Sequence, residues 1–235
     1  MLDPMPSGMR IMDAELTKLL DKNRETIDEL EKIAAEQKKN VDPRLMFTRI
    51  HTEISRGIIH NIKLFEKPKP LLRLNSHFAG DYIIALKDPK SFPNWKRAFD
   101  LCAAAADPQI QMANPNYSAS TALPYDTGAL QQCVEVMGDV HINIDIRSAL
   151  VATSENGKCT VSTKDFGNML DLIERGGAKV LDETFFWPAN LVAKAAKKHV
   201  LPAVEKRWRN STFTSICGEA VPDPEETFRT SVQPW

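Results

Sequence analysis

The sequence lacks an excess of charge of either sign. Its 235 residues include 30 Lys and Arg and 31 Asp and Glu, which gives a formal net charge of −1. A protein that binds nucleic acid or an anionic membrane surface usually carries a clear positive balance. The composition therefore predicts neither a nucleic-acid partner nor a membrane partner.

Long hydrophobic runs are also missing. A helix needs roughly 20 apolar residues to span a bilayer, and no stretch of the chain approaches that length. The first residues, MLDPMPSGMRIMDAEL, contain an early acidic residue and no apolar segment of the kind found in a secretory signal. These two absences predict a cytoplasmic protein.

Cysteine is scarce, and the usual cofactor motifs are absent. The four cysteines (Cys102, Cys133, Cys159 and Cys217) are widely spaced and form no C-x2-C pair, so we expect buried free thiols in a reducing compartment. The chain contains no G-x-G-x-x-G, no phosphate-binding G-x-x-x-x-G-K-[ST] and no G-x-S-x-G. We therefore predict chemistry without an organic cofactor.

Helical periodicity dominates what is present. Residues 12–39 carry a narrow apolar stripe on a very polar helix, which is predicted to pack on the body of the protein, or else to pair with a second chain in a homodimer. We predict an all-α fold, a single-domain bundle of six or seven helices around a buried central helix. The predicted division is an N-terminal helix (1–42), a helical core (43–217) and an extended or disordered tail (218–235). Further helices are predicted at 43–64, 71–86, 93–106, 127–150, 162–177, where Gly176 and Gly177 form the stop signal, and 183–208.

Several local signals bear on the surroundings of the core. The prolines in EKPKP (66–70) are predicted to break a helix. His51 and His60 are nine residues apart on the second helix, too far to share an ion, so we expect each to make its own hydrogen bonds. The stretch 107–126 has three prolines and reads as a lid or binding loop.

The central helix, 127–150, carries the residues that point to chemistry. His141 and Asp145 are four residues apart, so they share one face of a helix. That face continues the apolar stripe, and a titratable pair directed into a core is costly unless it is hydrogen-bonded, binds a metal or has a task. The same H-x3-D-x3-A-L pattern occurs at His77 and Asp81, in HFAGDYIIAL and HINIDIRSAL.

Three uses of such a pair stay open at this point. The carboxylate can hold one imidazole N–H and so make the histidine a general base. Two facing helices can build a metal site, for which His77, Asp81, His141 and Asp145 would be the four ligands of a divalent ion. The pair can also be purely structural and lock helices together.

The run MGDVHINIDIRSAL (137–150) resembles the domain of unknown function 5995 family, whose hallmark is G-x-x-H-I-N-x-D-[LI]-x-x-A-[LV]. A second similarity lies in residues 64–86, and weaker ones occur at Asp165-Phe166 and around residues 187–196. Together the resemblance spans about residues 43–210, with the N-terminal helix and the tail outside. The family implies an all-helical fold and no agreed activity. His77 and Asp81 are not part of its pattern, which favours His141 with Asp145 as the central pair. The matching residues are Gly138, His141, Ile142, Asn143, Asp145, Ile146, Ala149 and Leu150 in the first segment, and Phe78, Ala79, Tyr82, Ala85 and Leu86 in the second.

The leading functional hypothesis is an enzyme that acts on a small, largely apolar molecule in a pocket between helices. His141 would be the general base or acid, Asp145 would orient it, and His77 and Asp81 would share the site. Isomerisation, cyclisation or hydrolysis, as a step in specialised metabolism, would suit such a pocket. The alternatives are a divalent-metal-dependent hydrolase and a non-catalytic ligand-binding or scaffolding module. The predicted substrate-binding residues are Tyr82, Asn143, Tyr117, Tyr125 and Trp187.

Overall fold

Helices make up nearly all the regular structure in the computed structural model, which describes residues 13–40, 42–105, 136–184 and 212–235. These ranges contain no β-strand, so the predicted all-α fold is confirmed. They contain eight α-helices, of which six correspond to predicted helices and two are short ones near the C-terminus. The helices are α1 (Ala14–Lys39), α2 (Leu45–His60), α3 (Pro68–Lys87), α4 (Pro93–Ala105), α5 (Ile146–Thr153), α6 (Thr163–Thr184), α7 (Thr214–Cys217) and α8 (Glu226–Ser231).

The N-terminal helix α1 forms where its periodicity predicted. The Asp13 carboxylate caps it by accepting the Glu15 N–H at 3.0 Å. Its apolar stripe, which includes Leu20, Ile27 and Leu30, is buried, and α1 packs against α2 and α3. The helix is therefore part of the body. A homodimer through residues 12–39 stays a prediction, but this stripe is not available to it.

The EKPKP segment lies between α2 and α3, which are separate helices as predicted, and its prolines begin α3. Pro68 and Pro70 lie in the first helical turn, where the missing N–H groups have no intrahelical acceptor in any case. The preceding backbone is held by the buried Asp165 of α6, whose carboxylate accepts the N–H groups of Glu66 at 2.8 Å and Lys67 at 2.7 Å. A distant side chain thus fixes the start of this helix.

Helix α6 continues through Gly176 and Gly177, where the sequence predicted its end. The reason is the packing of α6 on α2. A Cβ atom on Gly176 would lie 3.4 Å from both the Glu53 Cβ and the Ile54 backbone nitrogen. Gly176 therefore allows α6 and α2 to pack closely. The prediction that α6 ends at Gly176 and Gly177 was wrong.

The prediction of free thiols was also wrong. Cys159 and Cys217 form a disulfide across 58 residues of sequence, with their Cα atoms 5.4 Å apart. None of the three cysteines within the described ranges has a free thiol. Because disulfides are rare in reducing compartments, the argument from free thiols for a cytoplasmic location no longer holds. The described helices include none that is both long and apolar enough to cross a membrane.

Residues 218–235, predicted to be an extended or disordered tail, pack on the core. Residues 218–235 include α8, whose Phe228 is buried. The Gln233 N–H donates to the Asn61 side chain at 2.8 Å. The Trp235 ring lies so close to Gly57 that a Cβ atom there would be 2.7 Å from it. The tail therefore completes the surface of α2.

Candidate functional site

The central helix changes its winding at the residues of interest. Residues 136–140 are α-helical, His141–Asp145 form a turn of π-helix, and α5 follows. A π-helical turn is wider than an α-helical one and is frequent at functional sites. In this turn the His141 Nδ1 lies 2.9 Å from the Asp145 Oδ2. The predicted pairing of these two side chains is present.

The pair is buried and is held by a third residue, from α4. His141 is 3% and Asp145 2% exposed. The indole N–H of Trp95 donates to both carboxylate oxygens of Asp145, at 3.1 Å each. Sequence reasoning had assigned no such role to Trp95, and no local spacing connects it with a residue 50 positions away.

Aromatic side chains surround the histidine. Phe78 stacks on the His141 ring with centroids 3.6 Å apart, and Phe47 meets it edge-on at 5.3 Å. Trp95 lies 6.0 Å away. A second imidazole, that of His51 on α2, lies 4.1 Å from the His141 ring and stacks on Tyr82 at 4.6 Å. We call Phe47, Phe78, Tyr82 and Trp95, which enclose both imidazoles, the aromatic cage.

The sequence analysis gave His51 no part in the site, although the structure places it beside His141. It is 1% exposed, and its Nε2 has no hydrogen-bond partner among the described residues, contrary to the expected hydrogen bond. A signal was available in the sequence, because Phe47, His51, Ile54 and Ile58 follow helical spacing and share one apolar face. A histidine on that face must point into the core.

Burial controls the charge of all three titratable groups. It raises the pKa of Asp145 to about 7, although the Trp95 hydrogen bond acts in the opposite direction. Burial lowers the pKa of His141 well below its usual 6.5. It does the same to the pKa of His51, with a further lowering from the nearby His141. Burial therefore favours the neutral forms of His141 and His51, and Asp145 titrates near neutral pH.

The second H-x3-D pattern does not join the first as a ligand set. His77 is exposed on α3. Asp81 is half-buried, and its pKa is raised by burial and by Asp145 and lowered by His77. Within the described ranges no three or more His, Cys, Asp or Glu side chains are placed to hold a metal ion. The predicted four-ligand site is therefore not formed.

The predicted substrate-binding residues lie in different parts of the protein. Tyr82 belongs to the cage, fully buried, with its hydroxyl 2.7 Å from that of Thr48. Asn143 is exposed and donates to Asp139 at 2.8 Å, so it faces away from His141. Tyr117, Tyr125 and Trp187 lie outside the described residues, as do the predicted loop 107–126 and the helix predicted at 183–208.

Part of the chain matches a known protein family. No curated protein and no solved structure matches the chain. The family match begins at residue 24, inside the N-terminal helix that we had placed outside the resemblance, and ends at residue 114, before the central helix. It includes the cage residues of α2, α3 and α4. Over residues 24–114 the chain therefore matches the family of unknown function (DUF5995), as the sequence predicted.

Proposed function

We propose that this protein is an enzyme that moves protons on a small, largely apolar molecule without an organic cofactor. The observation that carries the proposal is the 2.9 Å contact between His141 Nδ1 and Asp145 Oδ2 inside the aromatic cage. A carboxylate so placed fixes the imidazole tautomer and leaves Nε2, the nitrogen on the other side of the ring, as the proton-transferring atom. His141 then serves as general base or acid, and Asp145 orients it.

The surroundings suit this role. When His141 accepts a proton, the Asp145 carboxylate stabilises the resulting imidazolium. The Trp95 N–H holds that carboxylate at both oxygens. The aromatic rings exclude water and favour an apolar substrate. Isomerisation, cyclisation or hydrolysis in specialised metabolism fits such a site.

A second candidate is a non-catalytic ligand-binding or scaffolding module in which the pair only connects helices. The burial of both His141 and Asp145 favours it, as does the Trp95 hydrogen bond that ties α4 to the central helix. A scaffolding module differs from the enzyme in whether a small molecule can reach the imidazole of His141. A ligand-binding module differs from it in that the bound molecule is not converted.

Diethyl pyrocarbonate, which acylates neutral imidazole, measures that access. His60 and His77 are exposed and serve as internal controls that should react first. We expect slower acylation of His141, detected by peptide mass spectrometry, and protection of His141, but not of His60 or His77, by apolar compounds that raise the melting temperature. If His141 never reacts in the folded protein and no compound shifts the melting curve, the structural candidate is correct.

Turnover of the compounds that bind provides the second test. Asp145→Asn keeps the side-chain volume and removes the carboxylate, so we expect product formation to fall at least about a hundredfold while binding persists. Ser148→Ala changes an exposed residue on the same helix and should turn over normally. Equal turnover by Asp145→Asn and the unchanged protein would contradict acid–base catalysis by this pair.

A further inference from the structure

The unsatisfied nitrogen of His51 is the feature that the His141–Asp145 pair leaves unexplained. A buried polar atom without a partner costs about 1–3 kcal/mol, and such atoms are rare in native proteins. His51 Nε2 is an atom of this kind within the described residues. It lies on the imidazole that is 4.1 Å from the ring of His141.

The other buried polar groups near it on α2 are satisfied. The Thr48 hydroxyl pairs with Tyr82 at 2.7 Å. The Thr52 hydroxyl donates to the Thr48 carbonyl at 2.9 Å, and Ser55 accepts from Asn75 at 3.1 Å. Among the buried polar side chains of α2, the unpartnered atom is therefore the nitrogen of His51, at the point where α2 meets His141.

The two imidazoles are suited to opposite roles. His141 lowers the pKa of His51, because two positive charges so close together repel each other. His141 has a carboxylate to stabilise an added proton, whereas the described partners of His51 are aromatic rings. His51 is thus the neutral member, and a neutral imidazole N–H is an effective hydrogen-bond donor to an oxygen that gains charge.

We infer that His51 is a second catalytic residue and that the substrate is an enolisable carbonyl compound, whose oxygen accepts a hydrogen bond from His51 Nε2 while His141 removes a proton from the adjacent carbon. This inference rests on the proposed acid–base function. The aromatic cage would hold the hydrocarbon part of such a substrate, and the single N–H of His51 would match its single carbonyl oxygen.

The step is balanced without a further reactant. The C–H bond next to the carbonyl breaks, and its proton moves to His141 Nε2. The released electron pair forms the carbon–carbon double bond of an enolate, and the carbonyl π electrons move to the oxygen. The His51 N–H stabilises that oxygen. Return of the proton to carbon gives the ketone again or an isomer of it.

Hydrogen–deuterium exchange tests the inference directly. Cyclohexanone, acetophenone and phenylacetone are incubated with the protein in D2O, and loss of their α-proton signals is followed by proton NMR. We expect the protein to accelerate exchange over buffer for the probe that fits. His141→Gln should lower the rate about a thousandfold, and His51→Phe, which keeps an aromatic ring in the cage, about a hundredfold.

Two controls separate chemistry from folding. His51→Gln retains an N–H donor and should recover part of the rate lost in His51→Phe, which a purely structural role for His51 would not produce. Ser148→Ala should exchange at the unchanged rate. Near-ultraviolet circular dichroism and melting curves confirm that each variant is folded.

The outcomes distinguish this inference from the proposed function. Exchange that needs His141 but is equal in His51→Phe overturns the role of His51 and leaves the acid–base function standing. No acceleration with any of the three ketones overturns the carbonyl substrate class. In that case the acid–base function is judged by the acylation and turnover experiments alone.

Discussion

Two buried polar regions of this protein contrast with each other. One is the aromatic cage with its enclosed His51, His141 and Asp145. The other is an amide network between α1, α2 and α3, formed by Asn23, Ser55, Asn75 and Ser76. All the residues of the network are almost fully buried, as are those of the cage, yet their chemistry differs.

Every member of the amide network has partners. Asn23 donates to the Leu72 carbonyl at 3.1 Å and to the Ser76 hydroxyl at 3.0 Å. Asn75 donates to the Asn23 side-chain oxygen at 2.7 Å. All of these groups are neutral, and together they connect three helices. A saturated network of this kind specifies the packing and has no capacity left for a ligand.

The aromatic cage differs from the amide network in the charge of its polar groups and in their hydrogen bonding. Its polar groups titrate, burial displaces their pKa values, and the nitrogen of His51 lacks a partner within the described residues. Displaced pKa values in one cluster are typical of functional sites, although structural ion pairs show them as well. The comparison teaches that saturation of hydrogen bonds, rather than burial, separates the structural region from the candidate site.

The largest loss of stability is expected from a substitution in the amide network. Asn23→Ala removes the donor to Leu72 and Ser76 and the acceptor of Asn75, so we expect a loss of about 3 kcal/mol in the free energy of unfolding. Urea denaturation measures it. Asn143→Ala, at an exposed asparagine with one hydrogen bond, should cost under about 0.5 kcal/mol. Equal losses in the two variants would remove the structural role that we assign to the network.

A smaller effect is expected from Trp95→Phe in the cage. Loss of the indole N–H leaves a buried carboxylate without that donor, at a cost of about 2 kcal/mol. The Trp95 hydrogen bond lowers the pKa of Asp145, so the pKa of Asp145 in the variant should lie above about 7. When the pKa of a carboxyl group is raised in the folded state, the folded protein loses stability as the pH rises through that pKa. The free-energy cost of Trp95→Phe should therefore be larger at alkaline than at acidic pH.

Phe99→Leu is the control for the Trp95 variant. Phe99 contacts the Trp95 ring at 5.4 Å and is buried, so its truncation also opens space in the cage. Its cost should not depend on pH, because no hydrogen bond to Asp145 is removed. The carboxyl carbon of Asp145, followed by NMR, reports the pKa itself. An unchanged carboxyl titration in Trp95→Phe would show that the indole does not control this group.

The smallest expected change, taken per pH unit, is the dependence of stability on pH that His51 causes. Burial and His141 lower the pKa of His51 well below 6.5. At acidic pH the unfolded chain therefore binds a proton at His51 that the folded protein does not bind. The stability of the unchanged protein should therefore fall as the pH drops below about 6.5, by about 1.4 kcal/mol per pH unit from this group. His51→Phe removes this contribution.

The measurement compares urea unfolding of the two proteins across the acidic range. His51→Phe should gain stability relative to the unchanged protein below about pH 6.5 and keep a constant difference above it. Ser148→Ala should follow the unchanged protein at every pH. Parallel curves for His51→Phe would mean that His51 is protonated in the folded state, and the neutral role assigned to it would be wrong.

Much of the helical architecture was predictable because its signals are local. The apolar stripe of α1, the start of α4 at Pro93 and the spacing of His141 and Asp145 all arise from the geometry of a single helix. Local signals failed where another part of the chain intervenes. Asp165 holds the start of α3 across 99 residues, and the contact with α2 explains why Gly176 does not end α6.

The sequence by itself determined that this protein is all-helical and that a histidine and a carboxylate share a face of its central helix, because both depend on residues a few positions apart. Only the tertiary structure placed Trp95 on Asp145 and His51 beside His141, and paired Cys159 with Cys217. These contacts join residues about 50 to 90 positions apart. They depend on how helices pack, which no local periodicity records.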